Sequence, residues 1–142
     1  MQRRDALKAI VASSLVVSTI NAYDEKLIKN TKNMAVKDPA NPSKFEAKHL
    51  PCIKISDDVD KKGYTLVQIT VGQDGIIHPS DANHWIYEID LWADDKLIAK
   101  LDLEPVISRG YLGARVKLEG IKELKSTAKC NLHGNYTAIL KL

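Results

Sequence analysis

The run Trp85-Ile86-Tyr87-Glu88-Ile89-Asp90-Leu91-Trp92, then Ala93-Asp94-Asp95-Lys96, then Leu97-Ile98-Ala99-Lys100-Leu101-Asp102-Leu103, decides the fold. In its first part Trp85, Tyr87, Ile89 and Leu91 fall at every second position, with Glu88 and Asp90 on the other face. In its last part Leu97, Ala99, Leu101 and Leu103 alternate with Ile98, Lys100 and Asp102. A period of two is the signature of a strand that lays one face on a core. The polar stretch between the two parts is a turn.

The same pattern continues on either side. Thr65 to Val71 places Leu66, Gln68 and Thr70 on one face and Val67, Ile69 and Val71 on the other, and Gly72-Gln73-Asp74-Gly75 turns the chain. Ala114, Val116 and Leu118 alternate with Arg115, Lys117 and Glu119. Tyr136, Ala138, Leu140 and Leu142 alternate with Thr137, Ile139 and Lys141. Short alternating runs separated by turn signals predict an all-β protein, an antiparallel β-sandwich. No long stretch after residue 35 has a helical period, and there is no internal repeat. Residues 23–45 are polar and carry Asp38-Pro39 and Asn41-Pro42, so they read as an arm or linker with a short helix around Asp24 to Lys29.

The chain has 142 residues, enough for one domain, which we place at residues 46–142. Its net charge is +3, and the lysines are scattered singly, a pattern that argues against a nucleic-acid partner. Residues 1–22 have the parts of an export signal: Arg3-Arg4 near the start, an uncharged and mostly apolar run from Ala9, and small Ala22 at the end. The arginine pair followed by Leu7 and Lys8 resembles a twin-arginine signal, although Ala6 stands where a bulky apolar residue is usual. This reading places the folded protein in the periplasm, with cleavage after Ala22. The alternative is an attached amphipathic helix on a cytoplasmic protein. The segment carries three cations, Arg3, Arg4 and Lys8, against Asp5, so the remaining chain has a net charge near +1.

There are two cysteines, Cys52 and Cys130, too few for a zinc ribbon or a four-cysteine iron site. A disulfide between them is open in an oxidising compartment. The four histidines are His49, followed by Leu50-Pro51; His78, followed by Pro79; His84, at the head of the Trp85 strand; and His133, in Cys130-Asn131-Leu132-His133-Gly134. Taken singly, each is an ordinary turn or strand-end residue. Taken together they leave no histidine unplaced, and all four fall at loops or strand ends, where sites are built. Cys-x-x-His can clamp an ion between a thiolate and an imidazole, ligands that suit iron, copper or zinc. A thiolate makes the ion electron-rich, which favours reduction of a small oxygen species over a closed structural role.

Three motifs in order, Lys48-His49-Leu50-Pro51, His78-Pro79 with His84 six residues after His78, and Cys130-Asn131-Leu132-His133-Gly134, resemble the superoxide reductases of the neelaredoxin and desulfoferrodoxin family. The resemblance covers roughly residues 46 to 142. It implies an immunoglobulin-like sandwich and one iron ion per chain, with His49, His78, His84 and His133 as equatorial ligands and Cys130 as the axial thiolate. It implies one-electron reduction of superoxide to hydrogen peroxide opposite the cysteine. Lys48 matches the family's lysine beside the first histidine and would draw in the superoxide anion.

Two departures follow from the same comparison. The family usually has glutamate directly before that lysine, and here the residue is Ala47. Glu46 stands one position earlier, where an extended chain would point it to the opposite face. Oxidised iron is therefore expected to take water or hydroxide in place of a carboxylate. No counterpart of the family's N-terminal four-cysteine iron domain is read in these residues, so a one-iron form is expected, and Cys52 reads as a small core residue. An electron donor, rubredoxin-like or a periplasmic cytochrome, is required, and the chain is a candidate homo-oligomer by resemblance only. The rival readings are a blue-copper carrier, disfavoured because Met1 and Met34 both lie far upstream of Cys130, and a non-catalytic iron-binding or electron-transfer sandwich.

Overall fold

The computed structural model describes residues 22–142, so the export segment read at residues 1–22 lies outside the described residues apart from Ala22. Seven strands form two antiparallel sheets. They are β1 (Pro51–Val59), β2 (Thr65–Val71), β3 (Ile86–Ala93), β4 (Lys96–Asp102), β5 (Tyr111–Val116), β6 (Glu123–Cys130) and β7 (Gly134–Lys141). One sheet has the order β1-β2-β5 and the other β4-β3-β6-β7. This is the expected all-β, immunoglobulin-like sandwich. Its core is aliphatic, with Val67, Ile69 and Val71 of β2 facing Ile86, Ile89 and Leu91 of β3 and Leu124 and Ala128 of β6. Each of these valine, isoleucine and leucine side chains contributes about 1.5–3 kcal/mol through removal from water.

The alternation expected for Trp85 to Leu91 is broken. The register of β3 against β6 shifts between Ile86 and Glu88. This bulge brings Ile86 into the core with Ile89 and Leu91, three and five residues further on. Trp85 and Tyr87 pack instead against Tyr23 of the arm, with ring centroids 6.2 and 5.3 Å away. A bulge re-aims the side chains beside it, and period two cannot show where one falls. Glu88 is buried on this central strand because Lys129 and Lys100 reach its carboxylate at 2.6 and 3.3 Å.

The arm holds a short 3-10 turn, Glu25–Leu27, capped by Asp24. It then runs beside the start of β7, where Met34 N donates to Asn135 O at 2.9 Å and Asn135 N donates to Lys32 O at 2.8 Å. Gly134 lies under this crossing with φ +89°, and a Cβ there would meet Lys32 O at 2.6 Å, so only glycine closes the Cys130–Gly134 turn against the arm.

One helix, α1 (Lys44–His49), enters β1. Ser43 caps it, and Glu46 completes the box: its carboxylate accepts the Ser43 amide at 2.8 Å, while Ser43 Oγ accepts the Glu46 amide at 3.2 Å. The extended geometry expected around Glu46 is therefore wrong. The Ser-x-x-Glu box starts a helix in a stretch too short to show a helical period.

Cys52 also departs from expectation. It is exposed, not in the core, and both cysteines are free. In β1 it is Ile53 and Ile55 that pack toward the core, so period two turns Cys52 and Lys54 outward.

Candidate metal centre

Three segments meet at one end of the sandwich: the C-terminal turn of α1, the loop that leads into β3, and the turn between β6 and β7. Each delivers histidine. His49, the last residue of α1, is fully buried, and its Nδ1 lies 2.7 Å from the carbonyl oxygen of Phe45, one helical turn back. A carbonyl can only accept, so Nδ1 carries the proton and Nε2 keeps its lone pair. His78 repeats the arrangement, with Nδ1 2.8 Å from Pro79 O. His84 closes a turn with Asp81 through reciprocal backbone bonds of 2.8 and 3.1 Å. Cys130 ends β6, and His133 follows in the turn, its Nδ1 3.6 Å from Cys130 Sγ.

The ligand atoms of His49, His84, Cys130 and His133 all lie within 4.8 Å of one another. His49 Nε2 is 3.1 Å from His133 Nδ1. His78 stands beside this group, its ring centroid 4.8 Å from that of His49 and 4.7 Å from that of His84. The Nε2 atoms of His78 and His84 are buried without a hydrogen-bond partner. Two buried imidazole nitrogens are costly to leave bare unless something accepts their lone pairs. A metal ion does so. The donor set of His49, His84, Cys130 and His133 fits one iron ion, and His78 stands beside it with its Nε2 free.

The electrostatics agree with ligand duty. Burial lowers the pKa of His49 to about 4 and that of His78 to about 3. Burial also lowers His84 and His133, and the Lys48 ammonium adds to the effect at all four rings. The rings are thus neutral at pH 7, as ligands must be. Burial raises the Cys130 thiol, while the Leu132 and His133 amides and the Lys48 charge oppose that rise by favouring the thiolate. Lys48, half-buried on α1, therefore projects a positive potential over the whole cluster.

Glu46 is directed elsewhere. Its carboxylate accepts from Ser43 N and from Lys37 N, and these bonds hold it below the usual carboxylate pKa range.

Two residues that sequence reasoning left without a role hold the site together. Asn131, buried between the two metal-loop residues, accepts from Trp85 N at 3.0 Å and donates to Asn83 O at 2.9 Å and Leu27 O at 3.1 Å. It ties the Cys130 turn to the His84 turn and to the arm. Phe45 supplies the carbonyl that fixes His49. Asn131 stood inside the quoted Cys-x-x-His motif, but its partners lie 46 and 48 residues away in the chain at Trp85 and Asn83, which no local pattern records. Phe45 gave no signal while α1 was unrecognised.

Comparison with known proteins decides the family. The Desulfoferrodoxin family model matches residues 41–138. The chain belongs to the desulfoferrodoxin family. A relative from Methanocaldococcus jannaschii, whose description names a superoxide reductase provisionally, is 35% identical over 98 residues, covering 63% of this chain and 78% of the relative. Among solved structures, the one-iron superoxide reductase of Giardia intestinalis is 27% identical, covers 67% of this chain and 98% of its own, and superposes with a TM-score of 0.57. The superoxide reductase of Nanoarchaeum equitans, 23% identical with a TM-score of 0.55, covers 80% of this chain and 98% of its own and shares the fold. This desulfoferrodoxin-family chain thus joins an oxidoreductase family, and its imidazole and thiolate cluster fits one iron ion per chain.

Proposed function

We propose that this protein is a superoxide reductase, reducing superoxide to hydrogen peroxide at one iron ion held by His49, His78, His84, His133 and Cys130. The observation that carries this reading is the convergence of four of those ligand atoms within 4.8 Å, beside the orphaned Nε2 of His78. A ferrous ion held by these residues would supply one electron to superoxide, which two protons would complete to hydrogen peroxide. The chain's own residues do the rest. His49 and His78 are locked in the tautomer that exposes Nε2 by the carbonyls of Phe45 and Pro79. Lys48 concentrates the anionic substrate at the cluster and favours the deprotonated forms around it. The Cys130 thiolate, accepting from backbone amides, raises electron density at the site.

The reading extends to three further expectations. Ala47 offers no carboxylate and Glu46 is spent on its cap, so an oxidised ion held there would find no carboxylate ligand on α1 and would be left to water or hydroxide. The twin-arginine-like segment directs the folded protein to the periplasm. A rubredoxin-like protein or a periplasmic cytochrome returns the electron.

The test is metal analysis of the purified protein with pulse radiolysis. About one iron per chain and rapid oxidation of the ferrous protein by superoxide support the reading. Iron without such oxidation favours a non-catalytic iron protein, and copper with an intense blue colour overturns the reading.

A further inference from the structure

The aromatic residues around His49 do more than fill space. The Phe45 ring lies 4.6 Å from the His49 ring at 46° and 5.0 Å from the His133 ring at 80°, an edge-to-face contact. Tyr136 stacks on His49 at 4.9 Å and 24°. The imidazole of His49 is thus packed by one ring from its own helix and one from β7. His133 sits on a turn, and its ring is bounded by Phe45, by His49 at 4.9 Å and by His84 at 4.8 Å. Phe45 is the one member of this group that is half in solvent, at 50% exposed. An exposed phenylalanine on a short helix gains little for the core. Its contacts are with two of the four histidines.

We infer that Phe45 is a positioning residue, a lid that fixes the rings of His49 and His133 for the ion and shields their bonds to it from water. The inference rests on the iron reading above. Three observations support it together. The backbone carbonyl of Phe45 sets the His49 tautomer. Its ring contacts both His49 and His133, the histidines whose facing nitrogens are 3.1 Å apart. Its place four residues before His49 keeps ring and imidazole on one helix face, so the contact is intrinsic to α1. Ligands held in place before binding lose less freedom when the ion arrives, and they release it more slowly.

The test uses the full iron-loaded protein and three variants, Phe45→Ala, Phe45→Leu and Phe45→Tyr. The readouts are the rate at which a ferrous chelator removes iron under anaerobic conditions and the energy of the thiolate-to-iron absorption of the oxidised form. Phe45→Ala keeps the carbonyl and removes the ring. It is expected to speed iron loss by about tenfold or more, as loss of an outer partner of metal ligands generally does. Phe45→Tyr restores the ring and is expected to restore the parent rate. Phe45→Leu restores bulk without an aromatic edge and falls between them. Iron loss at the parent rate from Phe45→Ala overturns the inference. Should the alanine variant fail to fold, the leucine and tyrosine variants decide: equal rates overturn the proposal, and faster loss from leucine supports it. A parent protein that binds no iron overturns the iron reading itself, and the parent control reports that outcome separately.

Discussion

The side-chain oxygen of Asn131 accepts the backbone amide of Trp85 at 3.0 Å, joining the turn that carries Cys130 and His133 to the residue after His84. The same side chain donates to Asn83 and Leu27, so its polar atoms are all engaged in a buried position. A buried amide used this way is hard to replace. Asn131→Leu, close in size, leaves the buried Trp85 amide without its partner, which costs about 1–3 kcal/mol, and cuts the ties to Asn83 and Leu27. The expected result is a thermal midpoint well below that of the parent and weaker iron retention, both measurable by calorimetry and metal analysis. A midpoint equal to that of the parent would show that the loops are held by other contacts.

Glu46 supports a prediction in two parts, because its carboxylate caps α1 and does not face the metal ligands. Glu46→Ala removes half of the capping box, leaving the Ser43 amide without its side-chain acceptor. The thermal midpoint should fall accordingly. The visible spectrum of the oxidised protein, and its change with pH, should not move. A spectral shift on Glu46 substitution would mean that this carboxylate reaches the iron after all.

Much of this centre was legible before any coordinates. The five residues expected as ligands came from the resemblance of three ordered motifs to the superoxide reductases, and the fold brings His49, His84, Cys130 and His133 together with His78 beside them. The expected strands β2, β3, β4, β5 and β7 appear with boundaries displaced by a few residues at most. β1 and β6 were not anticipated. β6 alternates Leu124, Ser126 and Ala128 with charged and polar residues, so its inward face includes a serine and an alanine that carry little hydrophobic signal. Two things were misread for physical reasons. The bulge between Ile86 and Glu88 depends on pairing with β6, which no local period records. The helix α1 is set by a cap at Ser43 and Glu46 in a stretch too short to show a helical period. The partners of the ligands, Phe45, Pro79 and Asn131, act through backbone atoms or across long sequence separations, so residue type alone did not expose them.

The lowered histidines predict a pH dependence for the metal-free protein. His49 and His78 titrate at about 4 and about 3 when folded, against an ordinary value of 6.5. Below pH 6.5 the unfolded chain therefore binds protons that the folded chain refuses, and stability rises with pH wherever the unfolded state binds more protons. The contribution is complete above about pH 6.5 and falls as the pH drops toward 4. Thermal midpoints of the metal-free protein should decline across that window. His78→Gln should make the decline shallower. A midpoint that stays flat from pH 7 to 4.5 would contradict the buried, neutral state assigned to these rings.

Lys48 permits the sharpest kinetic test. Its charge acts on all four histidines and on Cys130 without an ion-pair partner among the described residues, so its field is directed at the cluster and not neutralised beside it. Superoxide is a small anion, and a cation beside its target raises the encounter rate by a factor that salt screens. Lys48→Ala should lower the second-order rate constant with superoxide by about tenfold at low ionic strength, with a smaller loss at high salt. Lys48→Arg should retain most of the rate, because the charge is kept. Iron content should be the same in all three proteins, since Lys48 is not expected to be a ligand. Pulse radiolysis at several salt concentrations gives the slope of rate against ionic strength. If Lys48 steers the substrate, that slope is negative in the parent and flattens in the alanine variant. Equal slopes would leave Lys48 as a solvated helix residue and assign the attraction of superoxide to the rest of the site.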